Sequence, residues 1–318
     1  MTASGTLSTG AGRTALITGA VGFTGRHLAL ALRREGYRTV GITQVPGTPL
    51  EHLDQVHTCD ILDLAALTQV VQQVRPTHVV HLAAIAFVAH PDMAALYLTN
   101  IVGTRNLLQA LTDSGSVPRS VILTSSANVY GNAEVDPINE QTPLRPANDY
   151  AVSKLAMEAM ARLWFDRLPI TLVRPFNYTG TGQSECFLLP KIVNHFANGA
   201  RSITLGNLDV ERDFSDVDSV VQAYCQLLAR APAGEVFNVC SGRATSLRDV
   251  LAMMQTIAGY HIEVISDPAL QRAHEVMRLR GSDDKLRALI GERVQPPLEQ
   301  TLRTMFEAMR ATGRPSVP

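Results

Sequence analysis

Apolar residues fall into short continuous runs separated by longer amphipathic stretches. Thr14-Ala15-Leu16-Ile17-Thr18 is such a run; a glycine-rich turn follows, and 25–35 then places apolar residues at helical spacing. The order repeats as strand 38–43, helix 64–74, strand 78–82, helix 94–111, strand 120–124, helix 150–167 and strand 170–174. Strands that are apolar throughout are buried on both faces. Alternating with helices, they predict a parallel sheet covered on each side. The expected fold is therefore α/β, a Rossmann-like doubly wound parallel sheet. Beyond about Phe176 the elements shorten between Gly180, Gly182, Gly199, Gly206, Pro232, Gly234 and Gly242, with helices expected at 188–198, 217–229, 247–259 and 298–310. This half reads as a smaller mixed α/β lobe at the C-terminal ends of the strands, where open sheets bind ligands.

Composition narrows the function. The 318 residues are 46% hydrophobic and 18% charged, with a net charge of −1. Without a basic excess, neither a nucleic-acid partner nor a membrane surface is expected. No apolar run is long enough to span a bilayer, and the first twelve residues have neither the basic start nor the apolar stretch of a signal peptide. They read as a flexible tail. Cys59, Cys186, Cys225 and Cys240 show no CxxC pairing and no histidine at metal spacing. They are expected to be small buried hydrophobes in a reduced, cytoplasmic protein without a metal site.

The first strand runs into Gly19-Ala20-Val21-Gly22-Phe23-Thr24-Gly25. Glycines three apart, after a strand and before a helix, let backbone N–H groups approach a pyrophosphate at the helix N-terminus. This makes 13–175 the expected dinucleotide-binding domain, with later segments returning to it, and leaves 176–318 mainly to the substrate. Thr43-Gln44-Val45-Pro46, after the second strand, holds no carboxylate for the ribose hydroxyls. NADP(H) is therefore favoured over NAD(H), which stays possible because no arginine is there to grip a 2′-phosphate. Asp60 and Ile61 are candidates for holding the adenine.

Tyr150 and Lys154 lie four apart on one face of an expected helix. An ammonium beside a phenol favours the phenolate, so the lysine is expected to lower the tyrosine pKa and make it an acid/base. Ser125 and Ser126 end the strand at 120–124, at the mouth of the same site.

Together these residues resemble the extended short-chain dehydrogenase/reductase family, in its nucleotide-sugar-modifying class. The resemblance runs from Thr14 to about Leu302. It rests on the glycine turn, His81-Leu82-Ala83-Ala84, Asn100-x-x-Gly103-Thr104, Ser125-Ser126-x-x-Val129-Tyr130-Gly131, Tyr150-x-x-x-Lys154 and Arg174-Pro175-Phe176-Asn177. It implies a catalytic Ser126, Tyr150 and Lys154. It also implies a nicotinamide cofactor held by Gly19, Gly22, Phe23, Thr24, Gly25, Leu82, Ala83 and Ala84, with Tyr150 and Lys154. The run 206–214 and Arg272-x-x-Glu275 are similar to segments of GDP-mannose-modifying enzymes. On that likeness Lys191, Arg212 and Arg272 pair with a diphosphate, Glu275 accepts from ribose hydroxyls, Asn177 touches the diphosphate or the sugar, and Ser126 touches the sugar.

In the family's dehydratases a glutamate stands two residues after the catalytic hydroxyl; here that position is Asn128. An amide cannot remove the C5 proton. The resemblance therefore implies hydride transfer from NAD(P)H to the C4 ketone of GDP-4-keto-6-deoxy-mannose, giving GDP-rhamnose. The C4 epimer GDP-6-deoxy-talose, a 4-epimerase with retained NAD, and a non-catalytic dinucleotide sensor are the alternatives. Asp136 and Glu140, in the next loop, are the candidates to replace the missing acid. The resemblance also implies a homodimer through helices 94–111 and 150–167, and Leu155, Met157, Met160 and Trp164 exceed one sheet-facing stripe.

Overall fold

The computed structural model describes residues 12–47, 51–86, 88, 91–270 and 276–312. The chain opens with β1 (Thr14–Thr18), α1 (Phe23–Arg34), β2 (Arg38–Thr43), β3 (Gln55–Thr58), α2 (Leu64–Val74) and β4 (His78–His81). A long helix follows in three pieces: α3 (Met93–Tyr97), a π-helical stretch (Leu98–Gly103) and α4 (Thr104–Asp113). Next come β5 (Ser120–Thr124), α5 (Asp149–Arg162), β6 (Ile170–Pro175), β7 (Asn177–Thr179), α6 (Leu188–Ala197), β8 (Ser202–Leu205), β9 (Glu211–Asp216) and α7 (Val217–Arg230). The chain closes with β10 (Val236–Val239), β11 (Ala244–Ser246), α8 (Leu247–Ala258), β12 (Glu263–Ser266), β13 (Arg278–Leu279), α9 (Asp284–Ile290) and α10 (Leu298–Thr312).

Seven parallel strands form the central sheet in the order β10-β6-β5-β4-β1-β2-β3. The order reverses between β1 and β4, and that is where a crevice opens beyond the strand ends. One apolar layer joins the sheet to α1 and α7 through Leu28, Leu32, Val220 and Tyr224; the other joins it to α2, α4 and α5 through Leu67, Val71, Leu107 and Met157. Apolar strands buried on both faces are thus accounted for. β10 comes from beyond 176 yet pairs with β6.

The second region has its own core, in which Ile192 and Phe196 of α6 meet Val250 and Met254 of α8 and Leu302 and Phe306 of α10. Beside it lie a small sheet centred on β9, paired with β7, β11 and β13, and a β8–β12 pair. Among the described residues no helix is long and apolar enough to cross a membrane.

Four expectations change. The helix at 94–111 is not uniformly α-helical. At its π stretch Asn100 is pulled inward, its side chain accepting from Ile85 N (2.9 Å) and donating to Ser153 Oγ (2.9 Å). The helix expected at 150–167 ends at Arg162. Met157 and Trp164 lie in the subunit's own core, while Leu155 and Met160 pack partly against buried clusters. The exposed apolar side chains on the paired helices are instead Leu98, Val102 and Val152, with Leu163 just past the end of α5. Cys59, Cys225 and Cys240 are buried, but Cys186 is exposed.

Candidate active site

Two close approaches shape the glycine turn. A Cβ at Gly19, whose φ is +68°, would sit 2.8 Å from Ala83 N; one at Gly25 would sit 2.4 Å from Gly19 O. Only bare backbone lets β1, the turn and the segment after β4 meet so tightly. α1 then starts with Gly22 as its N-cap, with no side-chain cap and no acidic residue in the first turn. Its opening N–H groups lack intrahelical acceptors and face no competing carboxylate, a donor set suited to a pyrophosphate. Leu82 N and Ala83 N donate to Thr18 O and Thr18 Oγ1 (both 3.2 Å), tying Leu82–Ala84 to this turn. Below it His81 bridges Thr18 Oγ1 (2.7 Å) and Thr104 Oγ1 (2.9 Å). Burial, with the charge of Lys154, holds the His81 pKa down at about 3, so this ring is a neutral strut.

Asp60 shapes its own loop, accepting from Gln44 Nε2 (2.8 Å) and Leu62 N (2.9 Å). Ile61 is buried and presses on Gly103, where a Cβ would come within 2.5 Å of its side chain.

Across the crevice, the two serines that follow β5 point in opposite directions. Ser125 Oγ donates to Glu158 Oε1 (2.7 Å) in the core. Ser126 caps the 3₁₀ turn Ala127–Tyr130 and accepts from Asn128 N (3.2 Å) and Asn128 Nδ2 (3.1 Å). Tyr150 enters in the first turn of α5, whose N-cap Asn148 accepts from Ala151 N (2.9 Å), and lies near Ser126. Lys154, one turn on, donates Nζ to Thr124 O (2.8 Å) at the strand end.

The expected depression of the Tyr150 pKa is corrected. Burial pushes this phenol up to about 12 against the bond from Ser126, and nearby Tyr178 adds to the rise. Lys154 is the more perturbed base: burial lowers it to about 8, opposed by Glu158. A phenol that holds its proton at neutral pH is the state a proton donor needs.

Sequence reasoning passed over three neighbours. Tyr178 stacks on Phe23, with ring centroids 6.1 Å apart, and its hydroxyl meets Thr24 Oγ1 at 2.7 Å. Glu158, fully buried, takes Arg174 Nε (2.8 Å) and Nη2 (2.7 Å) together with Ser125. Its position one turn beyond Lys154 was the available signal. The third, Asn128, had been read only for the acid it lacks.

The substrate candidates spread over the second region. Asn177, exposed, opens β7, which pairs with β9 in the register Asn177↔Phe214 and so brings it beside the strand of Arg212. Arg212 Nη1 donates to Glu211 O (2.9 Å) and Met277 O (3.3 Å), and Lys191 on α6 donates to Thr204 O (3.3 Å). Arg272 and Glu275 lie outside the described residues. Of the two stand-in acids, Asp136 is ion-paired with Arg278 (3.0 Å) and Arg280 (2.7 Å). Glu140 Oε1 accepts from Asn238 N (2.8 Å).

A family profile described as the NAD dependent epimerase/dehydratase family matches residues 15–240. The chain is similar to GDP-6-deoxy-D-mannose reductase of Pseudomonas aeruginosa, 35% identical over 91% of this chain and 95% of that protein. It is also similar to GDP-6-deoxy-D-talose 4-dehydrogenase of Aggregatibacter actinomycetemcomitans, 31% identical over 87% and 90% of the two chains. Among solved structures, RMD from Pseudomonas aeruginosa complexed with NADPH superimposes with a TM-score of 0.83 at 32% identity, covering 94% of this chain and 99% of that one.

Proposed function

The chain belongs to the NAD dependent epimerase/dehydratase family, and we propose that within it the protein is an NAD(P)-dependent reductase of the C4 ketone of GDP-4-keto-6-deoxy-mannose, forming GDP-rhamnose. The similarity to a GDP-6-deoxy-D-mannose reductase supports the substrate and the reaction. The similarity to an NADPH-bound structure and the neutral Thr43-Gln44-Val45-Pro46 stretch support NADPH, with NADH as the second cofactor. The single observation carrying the reading is the amide of Asn128 bonded to Ser126 at 3.1 Å, where elimination needs a carboxylate.

When bound, the reduced cofactor supplies a hydride to C4. First-turn backbone of α1 holds its pyrophosphate, with Gly19, Gly22, Phe23, Thr24 and Gly25 giving the close approach and Leu82, Ala83 and Ala84 the opposite wall; Asp60 and Ile61 border the adenine end. Tyr150 releases its proton to the developing O4 alkoxide, the Ser126 hydroxyl donates to the same oxygen, and the Lys154 charge stabilises the phenolate left behind. Residues 176–318 serve mainly as the nucleotide-sugar lobe. There Asn177, Lys191 and Arg212, with Arg272 and Glu275, bind diphosphate and ribose. The likeness to a GDP-6-deoxy-D-talose 4-dehydrogenase, at lower identity, leaves the C4 epimer as the second and less favoured product.

The protein acts in the cytoplasm as a homodimer. Leu98, Val102, Val152 and Leu163 form the apolar helix face that a second copy covers. Incubation with GDP-mannose and NADP tests the chemistry. A reductase leaves this sugar untouched, whereas appearance of the 4-keto sugar would overturn the reading.

A further inference from the structure

We infer that Asn128 is a positioning residue that fixes the direction of the Ser126 hydrogen bond, so that the serine can only donate to the sugar O4. The inference rests on the reading of Ser126 and Tyr150 as the pair that meets the reacting oxygen. Ser126 Oγ has two lone pairs and one proton. Both lone pairs are taken by one residue, by Asn128 N at 3.2 Å and by Asn128 Nδ2 at 3.1 Å. Only the O–H is left to give. A ketone oxygen becoming an alkoxide wants donors only, and a serine whose acceptor sites are filled presents nothing else. Asn128 is half-buried at the crevice, on the short 3₁₀ turn that also carries its backbone N–H to the same serine. An aspartate there has the same shape and the opposite polarity. Its oxygens accept where the amide donates, drawing the Ser126 proton away from O4 and turning a lone pair toward the growing negative charge.

The test ranks two variants by kcat and KM, with NADPH binding measured separately. Asn128→Ala keeps the backbone donor and loses one hydrogen bond, so kcat should fall by up to about tenfold. Asn128→Asp, although isosteric, should lose about 10²-fold, the cost of removing an oxyanion donor. In both, KM and the NADPH Kd should stay within about twofold of wild type. Were the role only structural, the isosteric Asp would be the milder change. An Asp variant as active as the Ala variant, or a loss confined to KM, overturns the inference. The assay uses whichever of GDP-4-keto-6-deoxy-mannose and UDP-glucose the wild type turns over, because ketone reduction and 4-epimerisation both bring O4 to Ser126 and Tyr150. A wild type active only on UDP-glucose refutes the reductase reading, while the rank order still judges Asn128.

Discussion

Replacing Glu158 by glutamine should test the polar network that supports the site from below. Glu158 is fully buried and the Arg174 side chain is 3% exposed; two short bonds join them, and Ser125 Oγ adds a third at 2.7 Å. Arg174 also donates to the Tyr130 hydroxyl (2.9 Å), which donates to Asn238 Oδ1 (2.7 Å). Glutamine keeps one acceptor but sets an NH₂ against an arginine N–H and strands a buried guanidinium charge. Breaking one side of a buried pair costs about 3–5 kcal/mol. At this chain length roughly 1.5 °C of Tm is lost per kcal/mol, so thermal unfolding should drop by about 5–8 °C. The Glu158→Leu, Arg174→Met double variant should recover much of that loss, since an apolar pair of similar volume removes the stranded charge.

Acidity gives a second check on Glu158. Burial raises its pKa, but the bonds and charge of Arg174, with Ser125 and Arg162, outweigh burial and leave it below the ordinary 4.5. A carboxyl depressed in the fold stabilises it fully above its unfolded value and loses that contribution as pH falls through the folded one. The Tm gap between wild type and Glu158→Gln should therefore narrow below pH 4.5. A Tm drop under about 2 °C at neutral pH, or a gap that widens in acid, would refute the reasoning.

Other consequences are as direct. Tyr150→Phe should lower kcat by about 10²-fold or more while NADPH binding persists; fluorescence titration and turnover separate the two. Lys154 carries its charge below about 8 and loses it above, so kcat/KM should decline as pH rises through that value, and Lys154→Arg should move the decline to higher pH; an unchanged profile would remove the lysine charge from the mechanism. Gly25→Ala should abolish cofactor binding or folding, because the added carbon meets backbone at 2.4 Å and 2.7 Å rather than a side chain that can yield. Val102→Asp combined with Leu163→Asp should leave a folded monomer by light scattering, and an unchanged dimer would place the contact elsewhere.

The sheet was largely legible because its strands are buried on both faces and read as continuous apolar runs, as at Val79 and Val80 or Val121 and Ile122. β3 was not, since Gln55-Val56-His57-Thr58 sits at the sheet edge with alternating exposure and little apolar signal. The short strands around β9 were equally silent, with Asp213 buried and satisfied by Ser241 N, Ser241 Oγ and Gly242 N from a segment far along the chain. In the site, the Tyr150–Lys154 spacing located the pair but not its electrostatics. Those depend on burial within the fold and on Tyr178, which no local window contains, as well as on Glu158 one turn beyond Lys154. The burial of Met157 and Trp164 was hidden for a related reason. Met157 and Trp164 look like surplus apolar residues until the sheet and α4 are seen to cover them.

The central claim is that the protein reduces a C4 ketone and releases its oxidised cofactor each turnover. The measurement is to supply GDP-4-keto-6-deoxy-mannose with NADPH, follow cofactor absorbance, and identify the sugar by NMR. One NADPH consumed per ketone, with GDP-rhamnose formed, is the predicted result. An unreacted ketone, or interconversion of a nucleotide sugar with no net change in cofactor, would contradict it.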